Sequence, residues 1–323
     1  MALFDLPIEE LRRYAPALAV PADLGRFWES TLADARAYDL APSFTPVESG
    51  LTVISTFDVA FAGFAGSPVR AWLHLPAGAT QPLPAVVEFV GYGGGRGLAH
   101  ERVMWAAAGY AHLVMDTRGQ GSTWSVGDTP DPDPIGTPFH PGFMTRGILD
   151  PTTYYYRRVY VDAVRAVEAV RLHPAVDPRR VALTGASQGG GISIAVAGLV
   201  PDLAAALPDM PFLSDLPRAI TLLDRDPYAE VARYLKAHRD HVDQALATLA
   251  YFDVAILGRA ATAPAIFSVG LMDETTPPST VFAAFNWYGG PKEIREYLFN
   301  DHEGGEGFHD LAKIRWLGNL LGG

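Results

Sequence analysis

Short apolar runs alternate with helical patterns along most of the chain. Residues 51–61 and 69–75 carry β-branched and aromatic side chains on either side of a glycine-containing break, which predicts an antiparallel pair of strands. Later apolar runs lack polar alternation, as is typical of strands buried on both faces of a parallel sheet. These runs predict strands at 85–91, 111–116, 181–185, 219–223 and 264–270, and a last strand is predicted at 292–299.

Helical patterns separate the predicted strands. They cover residues 154–172, the segment after residue 187, 228–249 and 309–321. The alternation predicts an α/β fold in one domain over residues 1–323. Its central sheet is expected to be mostly parallel and flanked by helices, with antiparallel strands at the N-terminal end.

Two segments lie outside this alternation. Residues 1 to about 45 are polar and predict an N-terminal helical arm. Residues from about 122 to 153 are rich in proline and glycine and follow a predicted strand end. Because a loop in that position is able to cover a site at the carboxyl edge of a sheet, we expect a covering loop; the alternative is a plain surface excursion.

Composition narrows the class of protein. With 323 residues, of which 49% are hydrophobic, the chain is able to bury a large core. A net charge of −11 without a Lys/Arg cluster argues against a nucleic-acid partner. The absence of cysteine excludes disulfides, thiolate nucleophiles and Cys-ligated zinc. No leader pattern or membrane-spanning run is present in this sequence, so we expect no membrane association and a cytoplasmic location.

One serine lies among small residues at a predicted strand-to-helix junction. The stretch 185–189, Gly-Ala-Ser-Gln-Gly, fits G-x-S-x-G, in which a strained turn exposes the serine hydroxyl. A close-packed turn or a phosphate cradle is the alternative. The phosphate interpretation fails because the turn lacks the Lys-Ser/Thr of a P-loop and 91–97, GYGGGRG, does not match G-x-G-x-x-G. Ser187 therefore remains a candidate nucleophile that needs a base.

The chain order of acid and base supports the nucleophile. Asp273 follows the predicted strand 264–270, and His302 follows 292–299, which is the Ser, Asp, His order of α/β-hydrolases. His302 would take the Ser187 proton, and Asp273 would orient the imidazole. The backbone N–H groups of Gln188 and of Tyr92, the latter in a glycine-rich turn, would stabilise the oxyanion.

Other acids and histidines are weaker candidates. Glu274 is a neighbour that could replace Asp273, whereas Asp301 is too close to His302 in sequence to orient it easily. His238 and His241 are three residues apart on a predicted helix, but no third metal ligand is evident, so a solvated helix face is favoured. We therefore expect no metal site.

Several spaced motifs together resemble one family. The stretches DTRGQG (116–121), GASQGG (185–190), GLMDETTPPST (270–280) and HEGG (302–305) are similar to carbohydrate esterase family seven, the acetyl xylan esterases and cephalosporin-C deacetylases. The likeness extends over nearly the whole chain. It implies an α/β-hydrolase fold that removes acetyl groups from small esters, including acetylated xylo-oligosaccharides and cephalosporin C, without a cofactor. It also implies a homohexamer whose active sites face an internal cavity.

By position, the resemblance assigns the same catalytic residues, Ser187, Asp273 and His302, with Tyr92 and Gln188 as oxyanion donors. It also matches Arg118 and Gln120 to a signature that we interpret as tying loops near the site.

The chain departs from the family pattern at two positions and leaves substrate preference open. Val90 stands where many members have histidine, and Ala186 replaces a common glycine. An acetyl preference requires a short acyl pocket, for which Tyr92, Pro227 and Tyr228 are candidate wall residues. Pro227 and Tyr228 alternatively only begin a helix.

Two other functions remain alternatives. One is a peptidase or dienelactone-type hydrolase on the same fold. The other is a catalytically silent, hydrolase-like binding protein, but such a protein has no chemical need for Ser, Asp and His at three strand ends in this order.

Overall fold

A mixed sheet with helices on both faces organises the molecule. The computed structural model describes residues 4–132 and 142–322. Within these residues the sheet has nine strands: β1 (Ser43–Val47), β2 (Ile54–Ala62), β3 (Pro68–Pro76), β4 (Leu83–Phe89), β5 (Ala111–Met115), β6 (Val176–Ala186), β7 (Ala205–Asp209), β8 (Ala265–Gly270) and β9 (Lys292–Tyr297). The α-helices are α1 (Ile8–Leu11), α2 (Leu24–Arg36), α3 (Met104–Ala107), α4 (Tyr155–Arg171), α5 (Gln188–Leu199), α6 (Leu216–Leu222), α7 (Tyr228–Ala237), α8 (Val242–Leu249), α9 (Val254–Leu257), α10 (Pro278–Trp287) and α11 (Glu306–Leu321).

The strand order is β1-β2-β3-β5-β4-β6-β7-β8-β9. The pairs β1/β2, β2/β3 and β3/β5 are antiparallel, whereas every pair from β5 through β9 is parallel. This confirms the predicted antiparallel start and the mostly parallel sheet. The chain order reverses around β4, which has β5 on one side and β6 on the other. In open α/β sheets, ligands bind at the carboxyl ends of strands next to such a reversal.

Both faces of the central strands are buried, as the apolar runs predict. Neighbouring residues in a strand point to opposite faces. Val87 of β4 packs in the large cluster that contains residues of α4 and α5, whereas Val86 packs in a second cluster with Trp105 and Leu317. Burying one such aliphatic side chain contributes about 1.5–3 kcal/mol. The apolar character of these strands therefore follows from their double burial.

The predicted strand at 219–223 is wrong, because this segment belongs mostly to helix α6. Leu216, Ala219 and Ile220 are its buried residues, at helical spacing. The carboxylate of Asp253 accepts a hydrogen bond of 2.9 Å from the Leu216 N–H and so satisfies a free donor at the start of this helix. A short apolar run fits a buried helix as well as a strand, and here a distant carboxylate favours the helix.

Two further differences concern element bounds. The sequence pattern missed two strands of five residues each: β1, at the end of the predicted arm, and β7, between β6 and β8. The single helix predicted at 228–249 is divided into α7 and α8, because His238 leaves helical geometry with φ −107° and ψ 71°.

The predicted N-terminal arm contains α1 and α2, and β1 begins at its end. Of the predicted covering loop, residues 133–141 lie outside the described residues, and the one-domain division stays a prediction. Within the described ranges, no helix combines the length and apolar character needed to cross a membrane.

Candidate active site

The turn between β6 and α5 holds Ser187 in a strained conformation. Its φ is 56° and its ψ is −118°, in a region that residues other than glycine rarely adopt. Its N–H donates to the Asp209 carbonyl at 2.9 Å, and its carbonyl accepts from the Phe212 N–H at 3.0 Å. The hydroxyl does not cap α5. The backbone of this serine is therefore fixed, while its side chain is left for other work.

Small residues around Ser187 allow α5 to begin directly against the sheet. A Cβ atom on Gly189 would lie 1.9 Å from the Phe89 carbonyl oxygen, and one on Gly185 would lie 2.4 Å from a backbone atom of Gly189. Real Cβ atoms do not come this close to backbone atoms, so any side chain would push the helix away from the sheet. This packing explains the glycines of the motif.

His302 and Asp273 are joined by a hydrogen bond of 2.8 Å between Nδ1 and Oδ2. Asp273 follows β8, is fully buried, and also accepts from the Thr275 N–H, the Thr276 N–H and the Thr276 hydroxyl at 2.7–2.8 Å. These donors fix a carboxylate that receives the Nδ1–H of the ring. The Nε2 atom of His302 is then the free, basic nitrogen.

The alternative acids have other partners. Glu274 forms an ion pair with Arg225. Asp301 accepts a hydrogen bond of 3.2 Å from the Glu274 N–H. Asp273 is therefore the carboxylate, among the three that the sequence offered, that contacts the imidazole.

A cavity of about 560 Å³ at the carboxyl edge of the sheet is lined by both Ser187 and His302. The hydroxyl of Ser187 and the ring of His302, both among the described residues, form no hydrogen bond to each other. Hydrogen bonds between nucleophile and base are often long in unliganded sites and shorten around the substrate. The nucleophile candidate and the base candidate thus face one shared space.

Two backbone N–H groups are available beside the serine. The register pairs Phe89 of β4 with Gly185 of β6, so the residues that follow these two strands emerge side by side. Neither the N–H of Tyr92 nor that of Gln188 has an acceptor among the described residues. The Gln188 N–H also lies at the positive end of α5. The two groups have the character expected of oxyanion donors.

The side chain of Gln188 links the serine turn to the turn after β4. Its Nε2 donates to the Val90 carbonyl at 3.0 Å, and its Oε1 accepts from Tyr156 and from Gln120 at 2.9 Å each. The Gln120 amide oxygen in turn accepts from the Gly93 N–H at 2.7 Å. Because these groups are buried, they hold the turn after β4 in register with the serine turn.

Arg118 also ties elements together, as the sequence suggested. Its guanidinium forms a bidentate pair with the fully buried Asp162 of α4, at 2.6 and 2.8 Å. Such a planar pair fixes geometry as well as charge. The RGQG stretch therefore anchors the loop after β5 to α4 through Arg118 and to the site through Gln120.

Two of the three predicted acyl-wall residues line the cavity, and their wall role stays a prediction. Tyr92 and Pro227 line the cavity, but Tyr228 does not. Tyr228 is fully buried, its ring packs on Phe212 with centroids 4.4 Å apart, and its hydroxyl accepts from the Leu213 N–H at 3.0 Å. Its position does not support the wall role, because it faces the core rather than the cavity.

Several cavity residues were not anticipated from the sequence, among them Trp124, Met210 and Glu230. The Trp124 ring is 56% exposed, and its Nε1–H donates to the Tyr92 carbonyl at 2.8 Å. An aromatic residue in a proline- and glycine-rich loop after a strand end is the signal that could have indicated it. Trp124 places the described start of the predicted covering loop at the cavity wall, and a covering role stays a prediction.

Neither histidine of the pair on the helical segment lines this cavity. The rings of His238 and His241 stack with centroids 5.0 Å apart, and the His241 Nδ1 lies 2.8 Å from the Tyr234 hydroxyl. Among the described residues, no group of three or more His, Cys, Asp or Glu side chains is able to hold a metal ion.

The sheet topology and the serine turn define an α/β-hydrolase fold. A solved acylaminoacyl peptidase from Pyrococcus horikoshii shares this fold, with a TM-score of 0.60 and 14% identity over 84% of this chain and 41% of that one. At this identity the likeness concerns the fold alone. The predicted fold class is confirmed.

The family is narrower than the fold. A family profile described as acetyl xylan esterase (AXE1) matches residues 1–320, and this chain belongs to that family. A solved acetyl xylan esterase from Paenibacillus sp. R4 is 38% identical, with a TM-score of 0.92 over 97% of this chain and 99% of that one. Acetyl xylan esterase 1 from Thermoanaerobacterium sp. JW/SL YS485 is 31% identical, with a TM-score of 0.91 over 98% and 99%. The resemblance inferred from the motifs is confirmed.

A curated relative matches over a shorter length. Acetyl esterase Axe7A of Xylanibacter ruminicola is 32% identical over 161 residues, which are 50% of this chain. The match covers 36% of that relative, so it spans only about a third of the relative's length.

Proposed function

We propose that this protein is a serine esterase that removes acetyl groups from small acetylated substrates through an acyl-enzyme on Ser187. The observation that carries the proposal is the 2.8 Å hydrogen bond between His302 Nδ1 and Asp273 Oδ2, beside the cavity that Ser187 also lines. Membership of the acetyl xylan esterase family supports the reaction class.

In the first half of the reaction, the Ser187 oxygen attacks the acetyl carbonyl while His302 Nε2 accepts the hydroxyl proton. The negative oxygen receives hydrogen bonds from the N–H groups of Tyr92 and Gln188. The bond between the acetyl carbon and the alcohol oxygen then breaks, and His302 returns the proton to the departing alcohol. Asp273 stabilises the imidazolium through this step.

In the second half, water repeats the attack on the acetyl group bound to Ser187. His302 takes a proton from the water; as the bond between the acetyl carbon and the Ser187 oxygen breaks, His302 returns the proton to that oxygen, and acetic acid leaves and ionises to acetate. The same two N–H groups stabilise the oxyanion of both steps. His302 therefore carries the proton in both halves, and water is the second reactant.

Acetylated xylo-oligosaccharides are the substrate class that the family and the solved relatives support. Cephalosporin C and similar small acetyl esters are also proposed, from the family resemblance alone. A wall that includes Tyr92 and Pro227 would exclude longer acyl chains, whereas a pocket with room would gain about 0.8 kcal/mol for each added methylene.

The decisive experiment is an acyl-chain-length series of aryl esters with wild type and Ser187→Ala. We expect rapid acetate turnover, a steep fall at butyrate, and a loss of about four to six orders of magnitude in Ser187→Ala. Ser55→Ala, at an exposed position of β2, is the matched control and should retain wild-type rates. Turnover of peptide amides or dienelactones with negligible acetate turnover would favour the alternative hydrolase, and a folded protein that neither turns over esters nor reacts with a fluorophosphonate would be a binding protein.

We also propose a homohexamer, supported by the family resemblance alone. Light scattering should then give about six times the chain mass of 34.7 kDa. A monomeric mass would remove this part of the proposal without affecting the chemistry.

A further inference from the structure

Glu230 is a buried carboxyl group that the proposed mechanism does not use. It lies in the first turn of α7, is only 6% exposed, and lines the same cavity as Ser187 and His302. Burial raises its pKa above the ordinary range of a glutamate. Burying a carboxyl group costs free energy unless it is hydrogen-bonded, and the hydrogen bonds of Glu230 indicate its role.

The two carboxyl oxygens of Glu230 accept hydrogen bonds from two different segments. Oε1 accepts from the Tyr92 hydroxyl at 2.7 Å, and Oε2 accepts from the Met144 N–H at 3.0 Å. The Tyr92 hydroxyl in turn accepts from the Phe143 N–H at 2.8 Å. Gly142 packs so closely that a Cβ atom there would lie 2.2 Å from the Glu230 carboxyl carbon. One carboxylate thus joins α7, the turn after β4 and the segment 142–144.

This clamp acts on a residue with two roles in the site. The N–H of Tyr92 is a proposed oxyanion donor, and its ring lines the cavity and packs edge-on against Phe143 and Phe212, with centroids 5.5 and 6.2 Å away. At the backbone, the Tyr92 carbonyl is held by Trp124. Glu230 holds the far end of the ring, so the two contacts together restrict rotation of the whole residue.

We propose that Glu230 is a positioning residue that acts through Tyr92: it keeps the Tyr92 N–H aimed at the oxyanion and the Tyr92 ring in place as the wall that limits acyl length. This inference rests on the proposed esterase function. The chemistry requires a group with two acceptors, because both the hydroxyl and the amide that face Glu230 are donors. A carboxylate meets this need, whereas a glutamine offers one acceptor and one donor group.

Glu230→Gln tests the inference with little change of shape. With its amide oxygen facing Tyr92, the glutamine loses the hydrogen bond from the Met144 N–H; with the oxygen facing Met144, the Tyr92 hydroxyl proton loses its acceptor, although the amide N–H can donate to the hydroxyl oxygen. We expect kcat for an aryl acetate to fall about tenfold or more, with a smaller change in KM, because an oxyanion donor acts in the transition state. We also expect the ratio of butyrate to acetate turnover to rise, because the wall is loosened.

Tyr92→Phe is the second variant, since it removes the hydroxyl and leaves the ring. It should shift the acyl-length ratio in the same direction as Glu230→Gln, and the double variant should cost little more than the worse single variant, as residues in one network do. Glu29→Gln, at an exposed position of α2, is the matched control and should match wild type. Additive losses in the double variant, or unchanged kcat and an unchanged acyl-length ratio in Glu230→Gln, would overturn the inference.

Amide hydrogen exchange separates this inference from the proposed function. Peptides that cover residues 91–95 and 142–146 should exchange faster in Glu230→Gln than in wild type, whatever the catalytic activity. If wild type hydrolyses no acetyl ester but the exchange still rises, the proposed function fails while the clamp stands. If wild type is active and neither exchange nor kcat changes in the variant, the proposed function stands and the inference is wrong.

Discussion

Two cavities of about the same volume, 560 Å³ each, lie in different regions of the molecule. One is lined by Ser187 and His302 at the carboxyl edge of the sheet. The other lies between the N-terminal arm and α8, with apolar walls that include Leu18 and Leu246, and Asp253 is among its lining residues. Size therefore does not identify a reactive site. The convergence of a few polar groups that complement one another does.

Each of these regions contains a buried aspartate, and the two aspartates have different partners. Asp273 accepts the His302 ring as well as local donors, whereas Asp253 accepts the N–H groups of Leu216 and Ala255 at 2.9 Å each, in the role of a helix cap. Burial raises the pKa of Asp253 to about 7. A perturbed pKa therefore does not by itself identify a catalytic aspartate, and here the contact with an imidazole marks the catalytic candidate.

The largest expected effect on catalysis comes from replacing the proposed base, His302. His302→Ala should lower kcat/KM for an aryl acetate by about four to six orders of magnitude, because the serine loses its proton acceptor. Added imidazole should restore part of the activity by filling the space of the missing ring. His100→Ala, at an exposed histidine, is the control. A His302→Ala variant with near wild-type rates would assign the base to another residue.

The next effect separates the two aspartates directly. Asp273→Asn should lower kcat about 10⁴-fold, because an amide in place of the carboxylate favours the wrong imidazole tautomer. Asp253→Asn should leave the kcat of the folded protein within about threefold of wild type, since Asp253 only caps helices. Steady-state kinetics of both variants checks the pair. Equal losses in the two variants would contradict the distinction drawn here.

Asp253→Asn should affect the stability of the protein, although it should hardly affect kcat. The asparagine that replaces it has one acceptor oxygen where two now serve backbone N–H groups, so Asp253→Asn should cost about 1–3 kcal/mol in the free energy of unfolding. Denaturant titration measures this cost. The exposed Asp243→Asn on α8 is a suitable control, and an unchanged midpoint in Asp253→Asn would remove the capping role.

The smallest effect is a pH dependence. Because folding raises the pKa of Asp253 to about 7, its favourable contribution is complete below its ordinary pKa and is lost as the pH rises through about 7. The Tm difference between wild type and Asp253→Asn should therefore narrow from pH 4 to pH 8. Thermal unfolding across this range measures the difference. A gap that widens with pH would show that Asp253 is ionised more easily in the folded protein.

The comparison also shows which features the sequence could predict. Ser187, Asp273 and His302 could be predicted from the sequence because each follows its own strand, and parallel strands bring their carboxyl ends to one edge. The helix at 219–223 could not be predicted in this way, because its cap, Asp253, is more than 30 residues further along the chain. Glu230 was not anticipated either, since its partners belong to separate loops that only the tertiary fold brings together.

The acetyl-enzyme that the proposed reaction forms on Ser187 can be detected by mass spectrometry. The protein is mixed with an aryl acetate, quenched within the first turnovers, digested, and analysed by mass spectrometry. We expect an acetyl group on the peptide that contains Ser187 in wild type and none on that peptide in Ser187→Ala. Full esterase activity without an acetyl group on Ser187 would contradict the proposed acetyl-enzyme. Esterase activity retained in Ser187→Ala would contradict it as well.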